Sequence, residues 1–161
     1  MTAADLPAVS AVAAVVHVAY PEDDVVAAER LRLFPDGCLA HLAGGRVTGY
    51  ALAHPWRAFS IPALDTLLGA IPADADVLYL HDVALLPGAR GGGAARAAVG
   101  RLAAVAARRG LGRMALTAVA GTAGIWGRLG FVAAEAPALA AKLATYGPGA
   151  AYMLTRAPDR R

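Results

Sequence analysis

Apolar residues recur at three- and four-residue intervals through Leu6, Val9, Ala13, Val16 and Tyr20, the repeat of a helix that buries one face. Thr2 and Asp5 stand ahead of it with the spacing of a capping box, and Pro21 marks its end. The acidic run Glu22, Asp23 and Asp24 caps a second, shorter helix bearing Val25, Val26, Glu29 and Leu33, which stops at the turn Phe34-Pro35-Asp36-Gly37. The period then changes to that of strands. Cys38 to Ala43 and Arg46 to His54 flank the hairpin signal Gly44-Gly45, and Thr48, Tyr50, Leu52 and His54 alternate with smaller residues along the second arm.

From Pro55 to Asp76 the pattern is irregular, with a helical turn expected around Ala63 to Leu68 and the whole stretch expected over one end of the sheet. Val77 to Leu86 is apolar on both faces and reads as a central, doubly covered strand, interrupted by His81 and Asp82. After Pro87-Gly88 a helix is predicted from Gly92 to Arg109, with Ala95, Val99, Leu102 and Val105 inward and Gly110 at its end. Arg113 to Val119 reads as a strand, Thr122 to Leu129 as a short helix and Phe131 to Ala133 as a strand. Ala138 to Thr145 is predicted helical and Ala151 to Thr155 a last strand, after the breaker Gly147-Pro148-Gly149.

Composition narrows the class. At 161 residues the chain has the length of one domain, 1–161, and can bury a core without disulfides or metals. It is 58% hydrophobic, yet its uncharged stretches fall short of the ~18 to 20 apolar residues that span a bilayer, so no membrane partner is expected. Asp5 and the lack of Lys or Arg before the first helix argue against a signal peptide, and Cys38 has no second cysteine to pair with. The expected location is the reducing cytoplasm, with no metal site. A net charge of +3 with scattered Arg residues and no interleaved aromatics argues against a nucleic-acid partner.

The informative arrangement is a buried strand and a tight turn leading to Arg90-Gly91-Gly92-Gly93-Ala94-Ala95 at the start of a helix. Unpaired N–H groups and the helix dipole favour an anion there, glycines let a pyrophosphate approach the backbone, and Arg90 adds a fork of donors. It is not a P-loop, because Ala94-Ala95-Arg96 replaces Gly-Lys-Ser/Thr. The Rossmann fingerprint fails as well, since Arg96 holds its third glycine position.

Leu80-His81-Asp82-Val83-Ala84-Leu85-Leu86-Pro87 followed by Arg90-Gly91-Gly92-Gly93-Ala94-Ala95 resembles the acetyl-CoA motif of the GCN5-related N-acetyltransferases, with Arg90, Gly93 and Ala95 in its defining positions. Ile125-Trp126-Gly127-Arg128-Leu129-Gly130-Phe131 is similar to that family's second motif, an aromatic residue followed by a Gly-Phe pair. The resemblance implies an α/β fold with a mixed, mostly antiparallel central sheet flanked by helices on both faces. The usual first strand is not visible before the opening helix. The implied function is transfer of an acetyl group from acetyl-CoA, as co-substrate, directly to an amine of a small molecule or peptide. Its implied contacts are Val83, Ala84 and Leu85 on the strand, Arg90, Gly91, Gly92, Gly93, Ala94 and Ala95 in the loop, and Trp126.

Such a transfer passes through an oxyanion, for which the backbone N–H of Leu85 is the candidate donor. It also needs a group that deprotonates the amine. His81 is the candidate base or first member of a water relay, expected to share a strand face with Val83 and Leu85; Asp82 is expected on the opposite face, orienting a neighbour, and His54 is the rival base. The family's frequent Tyr acid is replaced by Trp126, which supplies no useful proton, leaving Tyr146 and Tyr152 as alternative donors. The missing Tyr also keeps open a non-catalytic acyl-CoA-binding module of the same fold. The acceptor, and whether the chain forms a homodimer, are not fixed by the sequence.

Overall fold

A computed structural model describes residues 1–156. Helix α1 (Leu6–Val16) and helix α2 (Asp24–Leu33) precede strands β1 (Cys38–Ala43), β2 (Arg46–Trp56) and β3 (Val77–Leu85). Helix α3 (Ala94–Arg108), strand β4 (Arg113–Ala118), helix α4 (Ala123–Arg128), strand β5 (Val132–Ala133), helix α5 (Ala140–Ala144) and strand β6 (Ala151–Arg156) follow. The strands form one sheet in the order β1-β2-β3-β4-β6-β5. Only β3 and β4 run parallel, joined by the crossover through α3, so the sheet is mixed and mostly antiparallel as expected. Among the described residues no strand precedes α1, and no helix is long and apolar enough to cross a membrane.

Side chains of the two sheet faces sort the helices. Ala51, Ala53, Leu78, Leu80, Met114 and Leu116 pack with Leu102, Val105 and Ala106 of α3 and with Phe131. On the other face Tyr50, Leu52 and Ala84 pack with Val9 and Val12 of α1, while Tyr79 and Tyr152 pack with Leu139 beside α5. Leu102 and Leu78 are fully buried, each worth about 1.5–3 kcal/mol of transfer free energy.

Two expectations need correction. Helix α1 ends at Val16, well before Pro21. Pro21 disfavours a helical Tyr20, and the Tyr20 hydroxyl instead reaches across the fold to donate to the Tyr146 carbonyl at 3.1 Å. The stretch 57–76 holds no helical turn at Ala63 to Leu68. Its backbone groups go to α2 and the preceding turn: Glu29 accepts from the N–H groups of Leu68 (2.7 Å) and Gly69 (2.9 Å), Arg30 donates to the Thr66 carbonyl (3.0 Å), and the Asp65 N–H donates to Glu22 (2.8 Å). Ala58 and Ile61 of this stretch pack against Val77, Tyr79 and Tyr152, so it does cover part of the sheet.

Candidate active site

The centre of the sheet is only partly zipped. Strand β3 pairs with β4 over Leu78 to Leu80 alone, against Met114 to Leu116. Beyond that point β3 continues to Leu85 with β2 as its partner, and β4 continues to Ala118 paired to β6. Backbone groups of His81 to Leu85 that face away from β2 therefore have no strand to bond.

The same stretch carries a bulge. Asp82 pairs with Leu52 and Leu80 with Ala53, so His81 is an extra residue on β3 with no partner of its own. This overturns the expected alternation. Leu80 and Val83 pack toward α3, whereas His81 and Asp82 both reach the face covered by α1 and α2. His81 thus does not share a face with Val83, and Asp82 does not lie opposite His81.

His81 Nε2 sits 2.9 and 3.1 Å from the two carboxylate oxygens of Glu22, in the turn between α1 and α2, with its side chain 2% exposed. Burial raises the Glu22 carboxyl, but the His81 bond and charge, the Asp65 N–H and Arg30 together bring it below its ordinary value. Glu22 is therefore ionised at neutral pH. Asp82 Oδ1 is 2.6 Å from His17 Nε2, just past the end of α1, and Asp82 Oδ2 accepts from the Tyr50 hydroxyl. Burial and the neighbouring Asp82 push Tyr50 far above its ordinary range, so that hydroxyl stays protonated and donates.

The hydrogen bond to Asp82 raises the His17 imidazole above its ordinary 6.5 against the opposing effect of burial. A raised folded value means the pair's stabilisation is complete below the unfolded value and is lost as pH rises through the folded one. Thermal melts of wild type and Asp82→Asn should therefore differ more near about pH 6 than near about pH 9. A gap that widens with pH would contradict the pairing.

His54, the rival base, is fully buried, with Nδ1 3.1 Å from the Pro55 carbonyl and its ring 6.0 Å from that of His81. Burial, with the nearby His81 charge, pushes it down to about 3, which makes it a poor proton acceptor at neutral pH. Cys38 is buried with its thiol pushed up to about 12 by burial. Trp126 is half-buried in α4 with its ring edge-on to Phe131, centroids 5.7 Å apart. Tyr152 is fully buried and its hydroxyl accepts from the Phe59 N–H at 3.0 Å, while Tyr146 is buried against Tyr20.

At the far end of β3 the chain turns through Pro87–Ala89 and reaches α3, which starts at Ala94, two residues later than the sequence pattern predicts. Gly91 and Gly93 hold φ of +83° and +82°, a left-handed backbone that a side chain resists. Gly92 has no such constraint, and a Cβ built on it would meet nothing within 4 Å. The exposed Arg90 donates from Nε to the Leu85 carbonyl at 3.1 Å, which ties this turn to the unzipped end of β3. On the opposite face of the sheet, between α1, α2, β2 and β3, lies a cavity of about 390 Å³. Its polar lining includes His17, Glu22, Asp23, Asp24, Tyr50 and Asp82, and among the described residues no Lys or Arg lines it.

The residues sequence reasoning missed here are His17 and Tyr50. Glu22, Asp23, Asp24 and Glu29 read as a helix start and, by the family resemblance, as a stretch where an acceptor wall is often built; the pairing of Glu22 with His81 had no signal in the sequence.

A mixed sheet with helices on both faces, opened between its parallel central strands beside a glycine-rich helix start, has the architecture of an acetyltransferase. The chain belongs to the GNAT family of acetyltransferases: the family model described as Acetyltransferase (GNAT) family matches residues 11–131. None of the curated proteins matches its sequence. Among solved structures it is similar to the ribosomal-protein-S18-alanine N-acetyltransferase from Escherichia coli, with 18% identity, a TM-score of 0.67 and coverage of 100% of this chain and 93% of that one. Ard1 from Thermoplasma volcanium has 12% identity, a TM-score of 0.73 and coverage of 99% and 95%. The GphF GNAT-like decarboxylase in complex with isobutyryl-CoA has 15% identity, a TM-score of 0.77 and coverage of 98% and 97%. At these identities the likeness is one of fold.

Proposed function

We propose that the protein is an acetyl-CoA-dependent N-acetyltransferase that acts directly on an amine. The observation that carries this reading is the coincidence of the unzipped β3 segment with the Arg90–Ala95 turn. The backbone groups of Val83 and Leu85 that face away from β2 fit the amide-rich arm of acetyl-CoA, which supplies an activated acetyl thioester, and Ala84 between them keeps its backbone on β2. The open space at Gly92 and the first-turn N–H groups at Ala94 and Ala95 fit its pyrophosphate, with Arg90 released from Leu85 to join them. Trp126, packed edge-on to Phe131, contributes shape and no proton.

On the α1–α2 face, the cavity beside Glu22 and Asp82 receives the acceptor. Its carboxylates and its lack of basic side chains favour an amine that carries positive charge. His81, which lies behind Glu22 and does not itself line the cavity, takes the proton from the attacking nitrogen through water, and the Leu85 N–H steadies the oxyanion. The C–N bond forms first to give that oxyanion, and its collapse breaks the C–S bond so that CoA would leave as thiolate.

The test is release of free thiol from acetyl-CoA across a panel of polyamines, amino acids, aminoglycosides and peptide N-termini. The expected result is amine-dependent release, strongest with cationic acceptors. Tight acetyl-CoA binding with no release for any amine would replace the enzyme by an acyl-CoA-binding module.

A further inference from the structure

We infer that Glu22 is a positioning residue that holds the His81 imidazole with its proton on Nε2, leaving Nδ1 as the atom that receives the proton from the acceptor. The inference rests on the reading of His81 as the base.

An ionised carboxylate only accepts hydrogen bonds. With both Glu22 oxygens within 3.1 Å of Nε2, that nitrogen carries a hydrogen, so whenever the ring is neutral its lone pair is on Nδ1. Among the described residues Nδ1 makes no hydrogen bond. Glu22 is itself fixed from a third direction, since the Asp65 N–H donates to its Oε1 at 2.8 Å and the Asp65 carboxylate accepts from the Asp23 N–H at 2.6 Å. Asp65 adopts φ +51°, a left-handed backbone uncommon for a non-glycine residue, in making this contact. The carboxylate thus joins three separate parts of the chain: the bulged strand β3, the α1–α2 turn and the 57–76 stretch.

The other ionisable groups facing this pair do not supply an equivalent partner. His54, from β2, is held neutral with Nδ1 turned to the Pro55 carbonyl. Arg30 of α2 acts on Glu22 through its charge while bonded to Glu29 and the Thr66 carbonyl. Asp82 is engaged by His17 and Tyr50, and Tyr146 approaches Glu22 from the α5 side. Among the described residues Glu22 alone bonds the His81 ring.

Nitrogen-15 NMR of the imidazoles in the whole protein, which has four histidines, reads the tautomer directly. Wild type above neutral pH should show His81 protonated on Nε2, and Glu22→Ala should shift it toward a mixture of tautomers. His81 protonated on Nδ1 in the wild type would overturn the inference without any variant, as would an unchanged tautomer in a folded Glu22→Ala protein. In parallel, Glu22→Gln should lower kcat by about tenfold to a hundredfold and leave acetyl-CoA affinity unchanged, because removing a partner of a catalytic group forfeits part of the ~10²–10⁴ that general-base catalysis contributes. Glu22→Asp should recover part of the loss. A changed tautomer with unaltered turnover in Glu22→Ala would uphold the grip of Glu22 on His81 and remove His81 from the role of base, so the two readings fail separately.

Discussion

Gly92→Asp should bring acetyl-CoA binding below detection in calorimetry, while Gly92→Ala keeps near wild-type affinity and both variants melt within a few degrees of the parent. Gly92 is the informative position of the loop because its φ is ordinary and a side chain there has room, unlike Gly91 and Gly93, whose left-handed backbone would add strain to any substitution. A carboxylate at the start of α3 is compatible with the helix dipole, so the fold should not suffer. The same carboxylate would stand where the pyrophosphate is proposed. Two like unit charges ~4 Å apart repel by about 4 kcal/mol at an effective dielectric of ~20, roughly a thousandfold in Kd. Equal affinity in wild type and Gly92→Asp would show that the cofactor does not use this loop. Arg90→Ala, which removes one exposed charge, should be the milder lesion.

Glu29→Leu is expected to be the most destabilising single substitution in α2, lowering the unfolding free energy by about 3–5 kcal/mol in chemical denaturation. Arg30 is fully buried and Glu29 nearly so, with Arg30 Nη1 2.5 Å from Glu29 Oε2. Removing Glu29 leaves a buried guanidinium without its counter-charge and strips the N–H groups of Leu68 and Gly69 of their acceptor. Arg30→Met should cost less, because the carboxylate left behind keeps those two N–H groups. If Arg30→Met proved the more damaging of the two, the anchoring of the 57–76 stretch by Glu29 would be misjudged.

Much of the architecture was legible in the residue pattern. The hairpin about Gly44-Gly45, the apolar β3 and the amphipathic α3 lie within a residue or two of their expected limits, since each is set by local turn chemistry or by long periodic burial. The Arg90–Ala95 segment and the Trp126–Phe131 segment were enough to find the family. The wall of the acceptor cavity was not legible. Period-2 alternation assigns His81 and Asp82 to opposite faces, and nothing in Leu80-His81-Asp82-Val83 announces that one residue is inserted against β2. His17 lies beyond the last periodic position of α1 that the fold preserves, and Glu22 reads as a helix cap until the chain folds back and brings it to a strand 59 residues away. The turn expected at Ala63 to Leu68 failed for a related reason: local propensity was weak, and the side chains of Glu22, Glu29 and Arg30 claimed the backbone groups.

The partial zipping of β3 and β4 has a consequence for solvent exchange. Interior strands of a sheet ordinarily protect their amide hydrogens best, because every other N–H bonds to each neighbour. In this sheet the amides between His81 and Leu85 that face away from β2 sit at the middle of the molecule and yet lack a ladder partner. Deuterium uptake along β3 therefore divides by direction: the amides turned to β2 exchange on the timescale of the core, and the alternate ones exchange like those of an outer strand. A bound molecule that fills the opening is recorded as slowed uptake at those alternate amides alone, which turns the centre of the sheet into its own occupancy gauge, independent of any turnover.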